Sequence, residues 1–304
     1  LIAGPILKYK DLGDQIDQRD CTAEKFASGV QLCMVGMGKK VLLANNVGLL
    51  WERYKALPPD QLTVAGAWLG VIAFTFQIYF DFSGYSDMAI GMGQMLGFYF
   101  PENFNYPYTA ASVTEFWRRW HISLTTWFRE YLYIPLGGSR KGTWRTVRNI
   151  FLVWFCTGFW HGASWNFILW GLHFFVWLML EKYLLRDFLQ KLPSWLRHFY
   201  TLVVVFVGWG VFAMEDLTVC AGYYKTCFGS GTLWSAADGY YLTAYGLTLL
   251  LLTVGSTRLP KKGWDRLPER TRDLLGPLLM TAGLVICTAY LVDGSYNPFL
   301  YFRF

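Results

Sequence analysis

The sequence predicts an all-α, polytopic transmembrane helical bundle, and three observations carry that prediction. Hydrophobic residues make up 54% of the 304-residue chain and charged residues only 16%, whereas a soluble domain carries about 25% charged residues. Several uncharged stretches approach or exceed the roughly 20 residues that a helix needs to cross a hydrocarbon core of about 30 Å. The remaining charge is clustered. Arg118, Arg119, Arg129, Arg140, Lys141, Arg145 and Arg148 face one acid between them, Glu130, so this segment alone accounts for the formal +6 of the whole chain. Such a segment belongs at the cytoplasmic face, where anionic lipid attracts it. Lying between membrane spans, it makes a poor nucleic-acid interface. The length allows about eight spans in one domain, residues 1–304. No signal-peptide pattern is visible. The six cysteines are scattered without ligand spacing and read as small buried apolar residues, so no metal site is expected.

Taken in order, residues 8–25 are charged and polar and read as an exposed loop. Thr22 has Lys25 three residues on, which is not a capping box. Phe26 to Trp51 is apolar around Lys39 and Lys40, as two pieces or as one span whose lysines snorkel or line a cavity. Leu57-Pro-Pro-Asp60 is a break. Gln61 to Phe80 is an uncharged span ending near Asp81 and Asp87, which read as helix-end braces because six residues differ by about 240° on a helix. Met88 to Phe100 continues, with Gly91, Gly93 and Gly97 allowing close helix approach. Pro101 to Pro107 is a loop. Ser112 to Tyr133 reads as one amphipathic helix opened by a Ser112/Glu115 capping box, with Phe116, Trp120, Leu124 and Trp127/Phe128 as its apolar stripe. It is too polar to span and too aromatic for water, so it is expected to lie in the interface or re-enter from it. Ile134 to Gly142 is a turn-rich loop without Walker spacing.

Asn149 to Leu180 holds no Asp, Glu, Lys or Arg, yet contains His161 and His173 and five tryptophans, Trp154, Trp160, Trp165, Trp170 and Trp177. As one helix it would measure roughly 48 Å, too long for the hydrocarbon core. A break is therefore expected between Thr157-Gly158 and Gly162-Ala163. That sets His161 at a helix break, roughly 20 Å beyond Arg148 and deep in the bilayer. A titratable group there is a functional candidate, and a neutral imidazole is the natural base for a hydroxyl near pH 7. A buried imidazole braced by a neighbouring helix is the plainer alternative. Asn166 and His173 share a face and read as bundle braces. His121 is either a second catalytic group or an interfacial anchor, and His198 is a boundary residue. Glu181 to Arg197 and Arg258 to Arg272 read as loops. Phe199 to Met214, Tyr240 to Val254 and Leu274 to Val292 read as spans, and residues 294–304 as an aromatic interfacial tail. Pore, transporter and membrane enzyme all remain open, although the spans lack embedded carboxylates except at their ends.

Three blocks narrow the choice. FDFSGYSDMAIGMGQMLGFYFPENFNYPY (Phe80–Tyr108), TEFWRRWHISLTTWFREYLYIPLGGSRKG (Thr114–Gly142) and FWHGASWNFILWG (Phe159–Gly171) resemble the membrane-bound O-acyltransferase (MBOAT) family. The resemblance is strongest to its bacterial alginate O-acetyltransferase branch, and the opening LIAGPI and closing YNPFLYFRF agree with it. It implies an irregular ring of helices, some interfacial or re-entrant, around a central tunnel. It places the family's active-site histidine on His161 and its second characteristic histidine on His121, with Trp160, Trp165 and Asn166 as tunnel residues. It further implies acetyl transfer from acetyl-CoA or another cytoplasmic thioester, with no bound cofactor, to hydroxyls of an exported, alginate-like polysaccharide. The setting would be the bacterial inner membrane, among lipids and with periplasmic acetyltransferase partners. Peptidoglycan, cellulose or teichoic acid as acceptor is one alternative, and a non-catalytic acetyl conduit is another. Family members carry further N-terminal helices, so the chain is expected to be the larger C-terminal part.

Overall fold

The computed structural model describes residues 4–293, so the expected aromatic tail lies outside the described residues. Among these, all regular structure is helical. The helices are α1 (Tyr9–Asp17), α2 (Ala23–Gly38), α3 (Asn45–Lys55), α4 (Val64–Met95), α5 (Val113–Arg119), α6 (Ile122–Phe128), α7 (Thr143–His161), α8 (Trp165–Leu180), α9 (Arg186–Lys191), α10 (Ser194–Ala213), α11 (Leu217–Cys227), α12 (Ala236–Gly255), α13 (Leu259–Asp265) and α14 (Glu269–Asp293). Five helical runs are long and apolar enough to cross a membrane: Ala23–Lys55, Val64–Met95, Trp165–Lys191, Ser194–Ala213 and Glu269–Asp293. A sixth is counted if α12 and α13, bent by 69° at their junction, form one broken span. Among the described residues five or six helices meet that test, against the roughly eight spans that the length allows. The apolar residues were sufficient for more, but several of them line short helices packed inside the protein.

Ala23–Lys55 proves to be a single run, in which a π-helical turn at Lys39–Ala44 joins α2 to α3. Thr22 caps it after all, its hydroxyl accepting from the Lys25 N–H at 3.2 Å. The expectation that Asp81 and Asp87 brace helix ends fails, because α4 runs unbroken through both residues. Neither carboxylate sits at a helix end. Lys40 Nζ meets Asp81 at 2.5 Å, and Lys39 Nζ meets Asp87 at 2.6 Å. Charges in an apolar helix are tolerated when a neighbouring helix supplies the counter-charge. The adjacent lysines on the widened turn do so at two levels of α4.

Backbone contact accompanies these pairs. A Cβ placed on Gly29 would lie 2.5 Å from the Gly91 carbonyl, and one on Gly36 would lie 2.5 Å from the Gly84 carbonyl. The four glycines repeat every seven residues on antiparallel α2 and α4, so the two backbones touch without side chains between them. The α7–α8 hairpin repeats the device. A Cβ on Gly158 would lie 2.5 Å from the Phe167 carbonyl, and one on Gly171 would collide with the Trp154 carbonyl. Of the other glycines expected to aid helix approach, Gly93 packs against the Phe100 ring and Gly97, at φ +80°, ends α4.

The two expected loops are partly helical. After α8 the chain continues through a π-helical turn (Glu181–Leu185) into α9, and the run ends at Lys191, two residues before Pro193. The segment from Arg258 to Arg272 contains α13 and the start of α14. Residues 8–25 contain the exposed α1, tethered where Lys8 donates to Glu130 at 2.7 Å and holds that carboxyl below the usual range.

Substitutions at the glycine crossing and at the buried ion pair test this frame. Gly36→Leu is expected to lower stability by about 1–3 kcal/mol through overpacking, read as a fall in melting temperature in detergent. Gly222→Leu, where a side chain meets open space, is expected to leave the melt unchanged. Lys40→Met alone is expected to cost about 3–5 kcal/mol, while Lys40→Met with Asp81→Leu recovers most of it, because the cost lies in a buried charge losing its counter-charge.

Candidate active site

The segment expected to be one helix from Ser112 to Tyr133 is broken in the middle, and the break makes the site. Ser112 does cap α5, its hydroxyl accepting from the Glu115 N–H at 3.0 Å. The capping box is incomplete, however, because Glu115 turns to the Ala111 N–H at 2.8 Å and to Arg119. A second acid supports the same helix end. Glu181 is buried and accepts from the N–H groups of Val113 and Thr114 at 2.6 and 3.0 Å, and from the Thr114 hydroxyl at 2.8 Å. A carboxylate at this point neutralises the positive end of α5 and satisfies two backbone donors that the helix leaves over.

α5 stops at Arg119, and His121 takes a left-handed conformation (φ 45°) before α6 begins. Left-handed backbone is rare for a residue with a side chain and persists where surroundings enforce it. The loop before α5 does so. The Asn105 N–H donates to the Arg119 carbonyl and the Ile122 N–H to the Asn103 carbonyl, both at 2.9 Å. Phe116, Trp120, Leu124 and Phe128 of the expected stripe are buried, while Trp127 is exposed. The apolar side of the element is therefore covered by protein: Trp117 packs on Trp154 and Phe174, and Trp120 on Trp209.

His161 arrives from another direction. The break expected in the charge-free stretch occurs just after it, at residues 162–164, so the histidine is the last residue of α7. Its ring is half-buried and lies edge-on to Trp170 at 5.0 Å and to Phe212 at 5.3 Å. His161 and His121 line one cavity of about 750 Å³. The Trp160 ring is near both, 5.2 Å from His161 and 6.3 Å from His121. The cavity also takes in Asp81 and Glu181, and a set of cations, Arg118, Arg129, Lys182, Arg186 and Arg197.

The three residues expected to shape the tunnel do not line this cavity. Trp165 is 71% exposed. Asn166 is fully buried, and its amide donates to the Phe212 carbonyl at 2.9 Å. Trp160 stands beside both imidazoles. Asn166 is instead a brace between α8 and α10, and His173 is another, its Nε2 lying 3.0 Å from the Val204 carbonyl. His198 holds the Ala110 carbonyl at 3.1 Å. Among the described residues no group of three His, Cys, Asp or Glu is placed to hold a metal ion.

Sequence reasoning missed Glu181 and Asn103. Glu181 is the first charge after the uncharged stretch, a signal that was available. Asn103, in a loop, offers none.

Residues 1–221 match the sequence profile of the MBOAT, membrane-bound O-acyltransferase family. The chain belongs to this family. Among its relatives, the probable alginate O-acetylase AlgI of Pseudomonas putida is 40% identical over the whole chain and 66% of its own length. The probable alginate O-acetylase AlgI of Pseudomonas aeruginosa is 48% identical over 78% of this chain and 45% of its own. A peptidoglycan O-acetyltransferase of Helicobacter pylori is 37% identical over 71% of this chain and 42% of its own. The chain thus spans about half to two-thirds of the length of these relatives. The family and the apolar helices together make it a multi-pass membrane protein.

The cap on α5 can be tested directly. Glu181→Leu is expected to destabilise by about 0.5–2 kcal/mol, the usual cost of losing a cap. Hydrogen exchange at the Val113 and Thr114 amides is expected to rise selectively; unchanged protection there would rule the cap out.

Proposed function

We propose that the chain forms the catalytic part of a membrane-embedded O-acyltransferase that moves an acetyl group from a thioester donor to hydroxyls of an exported polysaccharide. The observation that carries the reading is the meeting of His161 and His121, from separate elements, in one cavity that also holds a cluster of cations. A transfer between two substrates needs a base beside the acceptor hydroxyl and a site for the donor. His161, half-buried at the end of α7, takes the hydroxyl proton as the oxygen attacks the acetyl carbonyl. The C–S bond then breaks, and the proton passes to the departing thiolate. The cations favour a donor with an anionic head, such as acetyl-CoA or an acyl carrier thioester. The basic segment Arg118–Arg148 supports donor entry from the cytoplasmic side of a bacterial inner membrane.

Alginate-like polymers are the acceptors that the alginate O-acetylases suggest. The Helicobacter relative favours peptidoglycan as the second reading. Periplasmic acetyltransferase partners belong to the same proposal. His161→Ala in the full-length protein is expected to lower acetyl transfer by about 10²-fold or more, while insertion and the melting profile stay as in the parent. Ester analysis of the cell's polysaccharide after complementation is the measurement, and an undiminished acetyl content would remove His161 from the mechanism.

A further inference from the structure

Asn103 has no part in the reading above, yet its side chain is among the most constrained in the molecule. It is buried, and its Oδ1 accepts from the Ser123 N–H at 3.1 Å and from the Ser123 hydroxyl at 2.8 Å. Its Nδ2 donates to Ser86 Oγ at 3.1 Å. His121 Nδ1 lies 3.1 Å from the same Oδ1.

The oxygen and nitrogen of an amide are readily exchanged in a structure, and here the backbone decides between them. The Ser123 N–H is an obligatory donor, so the atom it faces is the oxygen. An amide oxygen only accepts. The imidazole nitrogen facing it therefore carries the proton, and the ring's other nitrogen carries the lone pair. We propose that Asn103 is a positioning residue that holds His121 as the Nδ1-protonated tautomer, keeping Nε2 as the proton acceptor on the opposite edge of a ring that lines the cavity.

The surroundings are consistent with this one arrangement. Nε2 is buried and has no hydrogen-bond partner among the described residues. Phe82 stands edge-on to the ring at 4.7 Å. Gly4 closes over the same site, since a Cβ there would lie 2.8 Å from Asn103 Nδ2 and 3.3 Å from His121 Cε1. Asn103 also grips the turn through its backbone, its carbonyl accepting from the Ile122 N–H. One residue thus fixes both the left-handed turn and the protonation of the ring it carries. The opposite tautomer would present an N–H at Nε2, leaving no lone pair there to receive or relay a proton.

The catalytic consequence rests on the acyltransferase reading; the tautomer does not. The test is histidine ¹⁵N spectroscopy on the full-length protein in lipid nanodiscs. The chain has four histidines, and the His121 signals are identified by their loss in His121→Gln. The parent protein is expected to show His121 with Nδ1 protonated and Nε2 bare, and a protonated Nε2 overturns the proposal. In Asn103→Leu the Nε2-protonated form is expected to appear, and kcat to fall by about 10²-fold with KM little changed. An unaltered tautomer, or an unaltered kcat beside an altered tautomer, overturns the positioning role. Asn103→Asp retains an acceptor oxygen and is expected to restore the parent tautomer and most of kcat. Should Asn103→Leu fail to fold, the parent spectrum and Asn103→Asp still decide, the latter counting against the proposal if it shows the Nε2-protonated ring. If the parent protein transfers no acetyl group, the acyltransferase reading fails while the tautomer is still read.

Discussion

Direct backbone contact between helices is the constraint on which the rest of this structure depends. In an apolar solvent helices gain little from burying apolar side chains, and association rests on close packing and on polar groups finding partners. Glycines supply the close packing at two crossings, Gly29 and Gly36 with Gly91 and Gly84, and Gly158 and Gly171 within the α7–α8 hairpin. The first crossing brings Lys39 and Lys40 within reach of Asp87 and Asp81. The second sets Trp154 and Trp170 against Trp117 and leaves His161 at the end of α7. A side chain at any of these crossings would part the helices and withdraw both effects.

Inside that frame, the polar groups form a chain of supports that ends at the site. Glu181 extends α8 into the N-terminus of α5, and the loop around Asn103 and Asn105 fastens the other end of α5. His121 sits where these supports meet, in a conformation that a free peptide would seldom adopt. The arrangement also explains how a segment with three arginines buries its apolar side. Arg118 and Arg129 line a cavity, and Trp117 and Trp120 enter the aromatic core between α8 and α10.

Much of this was legible in the residues. The break after His161 follows from an uncharged stretch too long for one span, and the helical class follows from composition. The bracing roles of Asn166 and His173 follow from their shared face. Failures had a common cause. Asp81 and Asp87 read as helix-end braces because residues six apart do not share a helix face, but the π-helical turn of the neighbouring helix supplies two lysines. Ser112 to Tyr133 has the period of a single helix, yet hydrogen bonds from a separate loop impose the turn at His121. Asn166 is polar and lies within the Phe159–Gly171 block, but its amide is spent on the Phe212 carbonyl.

By itself, the sequence determined the membrane class, the number of charges that must be accommodated, the break beside His161 and the three blocks that mark the family. These are local or compositional properties, and a chain cannot conceal them. Only the tertiary structure decided which groups share a cavity, which carboxylate caps which helix, and that an asparagine eighteen positions upstream faces the ring of His121. Those outcomes depend on where glycine lets two backbones touch, and a pairing between distant segments leaves no periodicity in either one.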